Sequence, residues 1–344
     1  MTTCYAYDRI EQEHTLGGHP ENRGRLATTM RLLQADGILG RLQATPVLPA
    51  SLDRLQRVHP RPYIERLRQM AEQGGGQLDP DTYVVGGSYQ AALASAGALV
   101  GVVEQVMGGR AQNGMSLMRP PGHHALAARG MGFCLFANVA IAARAAQVEF
   151  GAERVLIVDW DVHHGNGTEA IFYDDPTVAF FSTHQYPFYP GTGAASDTGR
   201  GPGRGLTMNV PFPAGVGDNG YAQAFEQLLI PWARRFQPDL ILVSAGYDAH
   251  WRDPLAMENL SLAGYARLAT LVKGLAAELC QGRLVVALEG GYDLEVLAHA
   301  VLDTLRVLES ATPPPISDPF GPSPTPERPV DPLLAEIGSL HSLH

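Results

Sequence analysis

Short, continuously apolar segments alternate along the chain with longer segments in which apolar residues recur at helical spacing. The apolar segments of strand length are Met115–Met118, Val155–Asp159, Val178–Ser182, Leu206–Val210, Leu240–Ser244 and Leu284–Leu288. Most of them lack the polar–apolar alternation of a half-exposed strand, which is typical of parallel strands covered by helices on both sides. The pattern therefore predicts a mostly parallel sheet in the protein interior.

Helical periodicity fills the intervals between these strands. It predicts helices over Arg23–Gln34, Pro62–Glu72, Tyr89–Val106, Asn138–Glu149, Tyr221–Arg235, Leu262–Cys280 and Leu294–Leu308. Strand–helix alternation of this kind indicates a single α/β domain with helices on both faces of the sheet, which we assign to residues 1–311. We interpret residues 312–344 as a proline-rich tail, extended over Thr312–Arg328 and followed by a short helix near Asp331–Gly338.

The charge balance restricts the class of partner. The 344 residues include 25 basic and 35 acidic side chains, a formal net charge of -10. An acidic surface repels a phosphate backbone, so we expect no direct nucleic-acid binding. The same charge weakly favours cationic substrates such as lysine-rich tails or polyamines.

Membrane and redox signals also restrict the setting. We find no stretch that approaches the roughly 20 apolar residues of a membrane span, and no basic region followed by an apolar block at the start. The three cysteines, Cys4, Cys134 and Cys280, have no CxxC spacing, so neither a disulfide framework nor a thiolate zinc site is indicated. We therefore expect a cytoplasmic protein that does not bind membranes.

The segment Arg154–Glu169, RVLIVDWDVHHGNGTE, carries the most chemical information. A buried strand runs directly into Asp159, Asp161 and His163. Side chains two residues apart in an extended strand share a face, so Asp161 and His163 can reach one cation together. Carboxylate oxygen and imidazole nitrogen suit zinc, iron or manganese, and three ionisable groups on one buried face need a compensating cation.

Polar residues follow three other predicted strands. Asp248 follows Leu240–Ser244, Tyr292 follows Leu284–Leu288, and His123 and His124 follow the strand near Met115–Met118. Ligands of an open parallel sheet bind at the carboxyl ends of its strands, so these residues should converge on one site. Asp248 would complete a set of three protein ligands, which leaves a fourth position open for water, the pattern of a catalytic site.

Two further residue types suit the hydrolysis of an amide. A water molecule that attacks a carbonyl needs a base, and His123 or His124 can serve. The carbonyl oxygen needs a donor as negative charge develops, and Tyr292 can supply a hydroxyl. Gly290 and Gly291 precede Tyr292 and allow the backbone to approach a ligand closely.

Taken together, these segments resemble the zinc-dependent histone deacetylase family, which has the arginase/deacetylase fold and includes acetylpolyamine amidohydrolases. The matching motifs are HPENRGRL at His19–Leu26, RPPGHHA at Arg119–Ala125, GFCLFANVAIAA at Gly132–Ala143, DWDVHHGNGTE at Asp159–Glu169, STHQYPFYPGTG at Ser182–Gly193, SAGYDAHWRDPL at Ser244–Leu255 and LEGGYD at Leu288–Asp293. They follow the family order over roughly residues 19 to 310. The amino-acid sequences of these motifs are similar to those of the class II-like bacterial histone deacetylase-like amidohydrolases.

The resemblance implies a role for each matching residue. One zinc ion per chain would be held by Asp161, His163 and Asp248. His123 and His124 match the paired histidines, of which the second is the base. The catalytic positions are completed by Tyr292, which polarises the acetyl carbonyl, by Asp159, which orients the first histidine, and by Asn166, which stands where class I members carry an aspartate behind the second histidine.

The resemblance also implies positions around the zinc. A structural potassium ion would be bound through Asp159, Ser182 and the backbone of Asp161, His163 and Thr183. Phe133, its neighbour Gly132, and Tyr189 match the walls of the narrow tunnel for the lysine chain, and Asp81 matches a rim aspartate that binds the substrate backbone. Arg25 matches an internal arginine behind the site, where a structural role is equally compatible with the sequence.

Several functions stay open at this point. The leading hypothesis is removal of acetyl or short acyl groups from lysine in proteins or peptides, and the main alternative is deacetylation of an acetylpolyamine or another small amine. Arginase-like chemistry with two manganese ions needs a second set of carboxylates, which we do not find. A catalytically inactive acyl-lysine reader is disfavoured because the ligands and Tyr292 are complete. Sequence leaves the acyl preference, the oligomeric state and the metal used in the cell, zinc or iron, undecided.

Overall fold

Eight parallel strands form the central sheet of the computed structural model, which describes residues 2–312, 315–316 and 318–343. The strands of the described chain are β1 (Thr3–Ala6), β2 (Gln43–Thr45), β3 (Gly75–Asp79), β4 (Thr82–Val85), β5 (Asn113–Ser116), β6 (Val155–Asp159), β7 (Val178–Gln185), β8 (Thr207–Phe212), β9 (Leu240–Ala245) and β10 (Leu284–Leu288). The sheet order is β2-β1-β5-β10-β9-β6-β7-β8, and β3 and β4 form a separate antiparallel hairpin. The predicted α/β fold with a parallel sheet is confirmed.

Helices cover both faces of this sheet. The α-helices of the described chain are Gly24–Asp36, Leu52–Gln56, Arg61–Glu72, Ser88–Met107, Asn138–Phe150, Asn166–Phe172, Asp218–Ala224, Ile230–Phe236, Leu262–Leu279, Leu294–Glu309 and Asp331–Leu340. Consecutive residues of β6 point to opposite faces, so Leu156 and Val158 join one hydrophobic core while Val155 and Ile157 join the other. This two-sided burial explains why the strands are apolar throughout.

The central strands and β8 lie close to their predicted bounds, whereas β1 and β2, at the opposite edge of the sheet, were missed. The strands β6 and β10 begin and end at the predicted residues, but β5 starts at Asn113 and ends at Ser116, earlier than expected. Asn113–Gly114 has the composition of a turn, yet Gly114 lies against β1, where an added Cβ would be 2.5 Å from Sγ of Cys4. The short strands β1 and β2 have no apolar run that reveals them.

One predicted helix is interrupted. In place of a continuous helix over Tyr221–Arg235, a π-helical turn at Phe225–Leu229 separates Asp218–Ala224 from Ile230–Phe236. Pro231 lies in the first turn of the last segment and has no N–H for the bond to the preceding turn. A wider turn before the proline accommodates its ring, and hydrophobic periodicity does not reveal this interruption.

The helix Ser88–Met107 corrects one expectation. Its 20 residues are long and apolar enough, by length and composition, to cross a membrane. The expectation that no segment of the chain has the length and apolar composition of a membrane span is therefore wrong. Within its most apolar window 67% of the residues are buried, and it packs against the sheet and against Asn138–Phe150. Core packing accounts for its apolar composition.

The C-terminal segment is attached to the body of the protein along most of its described length. The helix Asp331–Leu340 extends the predicted Asp331–Gly338, and its Leu334 and Ile337 are buried in the core. Upstream, Nε1 of Trp251 donates a hydrogen bond to the carbonyl of Gly321 at 3.0 Å. Pro313 and Pro314, part of the predicted extended region, lie outside the described residues.

Candidate metal centre and catalytic site

The chemically active side chains lie at the carboxyl ends of four neighbouring strands, β5, β10, β9 and β6. In the order of these strands they are His123 and His124, Tyr292, Asp248, and finally Asp161 and His163. The carboxyl ends of parallel strands lie at the same edge of a sheet. The structure brings these residues together at that edge, as predicted. The site is therefore assembled from four segments of the chain, of which the first, at His123, and the last, at Tyr292, are more than 160 residues apart.

Asp161, His163 and Asp248 form a compact donor set. One ligand atom from each lies within 4.8 Å of the other two. Nδ1 of His163 is 3.2 Å from Oδ1 of Asp161 and 3.2 Å from Oδ2 of Asp248. The backbone N–H groups of His163 and Gly290 orient Asp161, donating at 2.9 and 2.8 Å. Oδ2 of Asp248 is fully buried and has no hydrogen bond of good geometry, an arrangement that fits a cation.

The charge of the cluster also fits a cation. Burial lowers the pKa of His163, but the carboxylates of Asp161 and Asp248 outweigh this effect and raise it to about 10. The pKa of Asp248 is raised by burial and by the neighbouring Asp161. Two buried carboxylates that share one imidazole carry an excess of negative charge, which a divalent ion would compensate.

The adjacent histidines have different partners. Nδ1 of His123 lies 3.0 Å from Oδ2 of Asp159, and Nδ1 of His124 lies 2.8 Å from Oδ1 of Asn166. Burial lowers the pKa of His123, but Asp161 and Asp159 raise it to about 10. Burial, followed by the charges of His123 and His163, lowers the pKa of His124 well below its usual value. These opposite shifts favour a protonated ring for His123 and a neutral ring for His124.

Tyr292 lies beside this cluster on the loop after β10. The guanidinium of Arg25 is 5.0 Å from its ring centroid, and Nε of Arg25 donates to the carbonyl of Gly291 at 2.8 Å. Burial raises the pKa of Tyr292 well above its usual value. The hydroxyl therefore keeps its proton at neutral pH and can donate a hydrogen bond.

A cavity of about 230 Å³ leads from the surface to these residues. Asp81 is exposed at one part of its lining, whereas His123 and His124 are 3% and 4% exposed at the other. Phe133, Gly132 and Tyr189 line the passage between them, as the resemblance implies. The cavity thus has an open acidic end and a closed end at the histidines.

The walls of the passage are aromatic. The ring of Phe133 meets the ring of Tyr292 edge-on at 5.8 Å, and the ring of Tyr189 meets that of His124 edge-on at 5.1 Å. Phe133 has a positive φ of 69°, rare for a residue with a side chain, and its N–H donates to Oγ1 of Thr82 at 3.0 Å. Strained backbone of this kind concentrates at functional sites.

The residues expected around potassium also lie together. Asp159 and Ser182 are partners across β6 and β7. His184 donates from Nε2 to the carbonyl of Gly193 at 2.9 Å, so its Nδ1 accepts the hydroxyl proton of Ser182, also at 2.9 Å. The oxygen lone pairs of Ser182 are left for another partner. Thr183 follows it, buried on the same strand.

Two buried carboxylates near the site were not assigned a role from the sequence. Glu289 accepts the N–H groups of Gly122 at 2.7 Å and His123 at 3.2 Å, and thereby holds the loop of the histidine pair. Asp253 accepts the N–H of Tyr292 at 2.6 Å. Glu289 lies in the motif LEGGYD and Asp253 in the motif SAGYDAHWRDPL. Each is an acidic residue to which the sequence analysis gave no role, and its position inside a motif was the one sign that it belongs to the site.

This fold is the arginase/deacetylase fold, an α/β fold with a central parallel sheet. A family model described as "Histone deacetylase domain" matches residues 19–308. The chain belongs to the histone deacetylase family, and it is accordingly a hydrolase of the deacetylase type.

Individual relatives agree with this assignment. The chain is 41% identical to "Histone deacetylase 10, chloroplastic" of Oryza sativa subsp. japonica, with 96% of this chain and 79% of that protein covered. It is 42% identical to "Histone deacetylase-like amidohydrolase" of Pseudomonas aeruginosa, over 89% of this chain and 82% of that one. The solved structure of the HDA15 HD domain superposes with a TM-score of 0.90 at 34% identity, covering 99% of this chain and 95% of that chain.

Proposed function

We propose that this protein is a zinc-dependent deacetylase that hydrolyses the acetyl or short-acyl amide of lysine side chains in proteins or peptides. The observation that carries the proposal is the donor set of Asp161, His163 and Asp248 beside an aromatic-walled cavity. Tyr292 lies next to this donor set, as do His123 and His124, which have different hydrogen-bond partners. A narrow apolar passage suits the four-carbon lysine chain, and the polar groups beside it suit the amide.

The donors favour zinc as the ion. Two carboxylates and one imidazole nitrogen are ligands that zinc accepts, and the buried Oδ2 of Asp248, which has no hydrogen bond of good geometry, supports a cation there. When bound, the ion would polarise the acyl carbonyl and lower the pKa of water. Iron is a second ion that these ligands accommodate.

The proton transfers fall to His124. Its Nδ1–H is directed to Oδ1 of Asn166, which leaves Nε2 as a neutral base. His124 takes the proton of the attacking water and, once protonated, gives it to the lysine nitrogen as the C–N bond breaks. The products are acetate and the free lysine amine. Asp161 and Asp159 raise the pKa of His123, which favours its protonated form, and this charge would stabilise the negative charge that develops nearby.

Tyr292 completes the mechanism at the carbonyl oxygen. Its hydroxyl stays protonated and donates a hydrogen bond that strengthens as negative charge develops on that oxygen. Phe133 and Tyr189 exclude water from the passage and orient the alkyl chain. Asp81, at the exposed end, would accept the backbone N–H groups of a bound peptide.

One observation favours deacetylation of a small amine as a second candidate. Asp79 and Asp81 stand together at the exposed end, where the N–H of Asp81 donates to Oδ1 of Asp79 at 3.2 Å. Paired carboxylates there would also attract the distal ammonium of an acetylpolyamine. Acetate release from an acetyl-lysine peptide and from acetylputrescine, measured side by side as kcat/KM, separates the candidates. A higher value for the peptide is expected; turnover of acetylputrescine alone would contradict lysine deacetylation in peptides.

Two further assignments belong to the same proposal. We expect a structural potassium ion bound through Asp159, Ser182 and the backbone of Asp161, His163 and Thr183, since the lone pairs of Ser182 are available there. We also expect a reducing, cytoplasmic location, which suits the free, buried thiols of the cysteines. We also propose that residues 1–311 form the catalytic region and that residues 312–344 form a C-terminal tail.

A further inference from the structure

Asp253 connects the loop after β9 to the loop after β10. Its carboxylate is 5% exposed, and Oδ2 accepts the N–H of Tyr292 at 2.6 Å and the N–H of Asp293 at 3.2 Å. Its other oxygen, Oδ1, accepts the N–H of Leu255 at 2.9 Å. One buried side chain thus satisfies three backbone donors on two separate segments of the site.

These contacts leave little freedom for the backbone of Tyr292. The loop is held from one side by Arg25, whose side chain donates to the carbonyl of Gly291 at 2.8 Å and lies over the tyrosine ring. Asp253 holds it from the other side through the N–H groups. Gly291, with a φ of 117°, and Gly290 precede Tyr292 and would otherwise allow the loop to move.

We infer that Asp253 is a positioning residue for Tyr292, which sets the place of the phenolic hydroxyl relative to the donor set of Asp161, His163 and Asp248. This inference rests on the proposed function, because it assumes that Tyr292 donates to the acyl oxygen. Without Asp253 the three partly buried backbone donors would lose their acceptor, and the loop would have to shift to pair them with water.

The contact with Leu255 extends the role to the cavity. Leu255 is half-buried and lines the cavity together with Tyr292. Asp253 therefore fixes a wall residue and the catalytic donor in one arrangement. The effect on the donor should appear in kcat, whereas an effect on the wall should appear in KM.

The test is a double-mutant cycle with acetyl-lysine peptide as substrate. Asp253→Ala is expected to lower kcat by roughly 10- to 100-fold, since small misplacements of a catalytic group cost about 10²-fold. In a Tyr292→Phe background the same substitution should have little further effect, because the hydroxyl that it positions is already gone. Asp253→Asn keeps one acceptor oxygen for the Tyr292 N–H and should restore much of kcat.

Glu258→Gln supplies the matched control. Glu258 is 2% exposed and also accepts a backbone N–H, that of Val216 at 2.7 Å, outside the cavity. This substitution should leave kcat near the wild-type value. Metal content and thermal unfolding, measured for every variant, identify any protein that has not folded. If Asp253→Ala does not fold, the same cycle is run with Asp253→Asn, whose smaller loss of kcat should likewise disappear in the Tyr292→Phe background; a loss that persists there would overturn the positioning role.

The outcomes separate this inference from the proposed function. Losses that multiply in the double variant, or a loss in Glu258→Gln as large as that in Asp253→Ala, would show that Asp253 acts through general stability and would overturn the positioning role. If the wild-type protein releases no acetate from the peptide, the proposed function itself fails, and this inference fails with it.

Discussion

Nδ1 of His124 lies 2.8 Å from the amide oxygen Oδ1 of Asn166. An amide oxygen only accepts hydrogen bonds, so the proton is on Nδ1 and the lone pair is on Nε2. The neighbouring His123 faces the carboxylate of Asp159 at 3.0 Å instead. The partners of the two adjacent histidines thus differ in charge, which favours protonation of His123 over His124, and the proposed division between base and electrostatic stabiliser follows from that difference.

Alanine variants of the two histidines should differ. His124→Ala removes the only side chain assigned to both proton transfers and should abolish turnover almost completely while metal stays bound. His123→Ala should leave measurable activity with an altered pH profile, because it removes charge stabilisation alone. Steady-state rates and metal analysis check both, with His299→Ala, on a helix away from the cavity, as control. Equal and total loss in both variants would contradict the division of roles.

Exchange of Asn166 for aspartate should move the pH profile. Burial and the charges of His123 and His163 lower the pKa of His124, and the reaction needs this ring neutral. Activity is therefore lost as the pH falls through that pKa. A carboxylate behind Nδ1 favours the protonated ring and raises the pKa, so Asn166→Asp should shift the acidic limb of kcat/KM to higher pH. A profile that overlays the wild type would show that another group titrates.

Removal of the Tyr292 hydroxyl should slow the chemical step. Tyr292→Phe is expected to lower kcat by about 10²–10³-fold, the usual loss for one oxyanion donor, with a smaller change in KM. Stopped assays with acetyl-lysine peptide measure both constants. Tyr173→Phe, a half-buried tyrosine outside the cavity, is the matched control. Near-normal turnover by Tyr292→Phe would refute the donor role.

Substitution of either carboxylate ligand should remove the metal. Asp161→Ala and Asp248→Ala each lose one of three protein ligands, so metal content and activity should fall together in elemental analysis. The ligands follow different strands, and loss of the ion should also lower the thermal midpoint by mass action. Asp239→Ala, which removes a carboxylate bonded to backbone N–H groups at 2.8 and 2.9 Å elsewhere in the protein, should keep its metal. Full metal occupancy in both ligand variants would contradict the assignment.

The central part of the fold could be predicted from sequence because each buried strand is apolar on both faces. β6 and β10 have their predicted bounds. Asp161 and His163 lie in a bend just after β6, not in an extended strand as expected, yet they still meet in one cluster. The motifs at the strand ends then indicate a common edge. Local patterns of this kind are independent of long-range contacts, which explains their success.

The remaining features depend on contacts that no local pattern contains. The π-helical turn at Phe225–Leu229 and the shift of β5 against Cys4 arise from packing between distant segments. Asp253 is an unremarkable acidic residue before a proline until the fold brings its carboxylate to the N–H of Tyr292, 39 residues away. Glu289 likewise gains its role only when the loop of His123 lies above it.

Metal titration tests the central claim most directly. The purified protein is stripped with a chelator, its residual metal is measured, and acetate release from an acetyl-lysine peptide is followed as zinc is added back. One zinc bound by Asp161, His163 and Asp248 predicts negligible activity in the stripped protein and a linear rise that ends at one zinc per chain. Full activity without metal, or a rise that ends only at two ions per chain, would contradict a deacetylase that works with one metal ion.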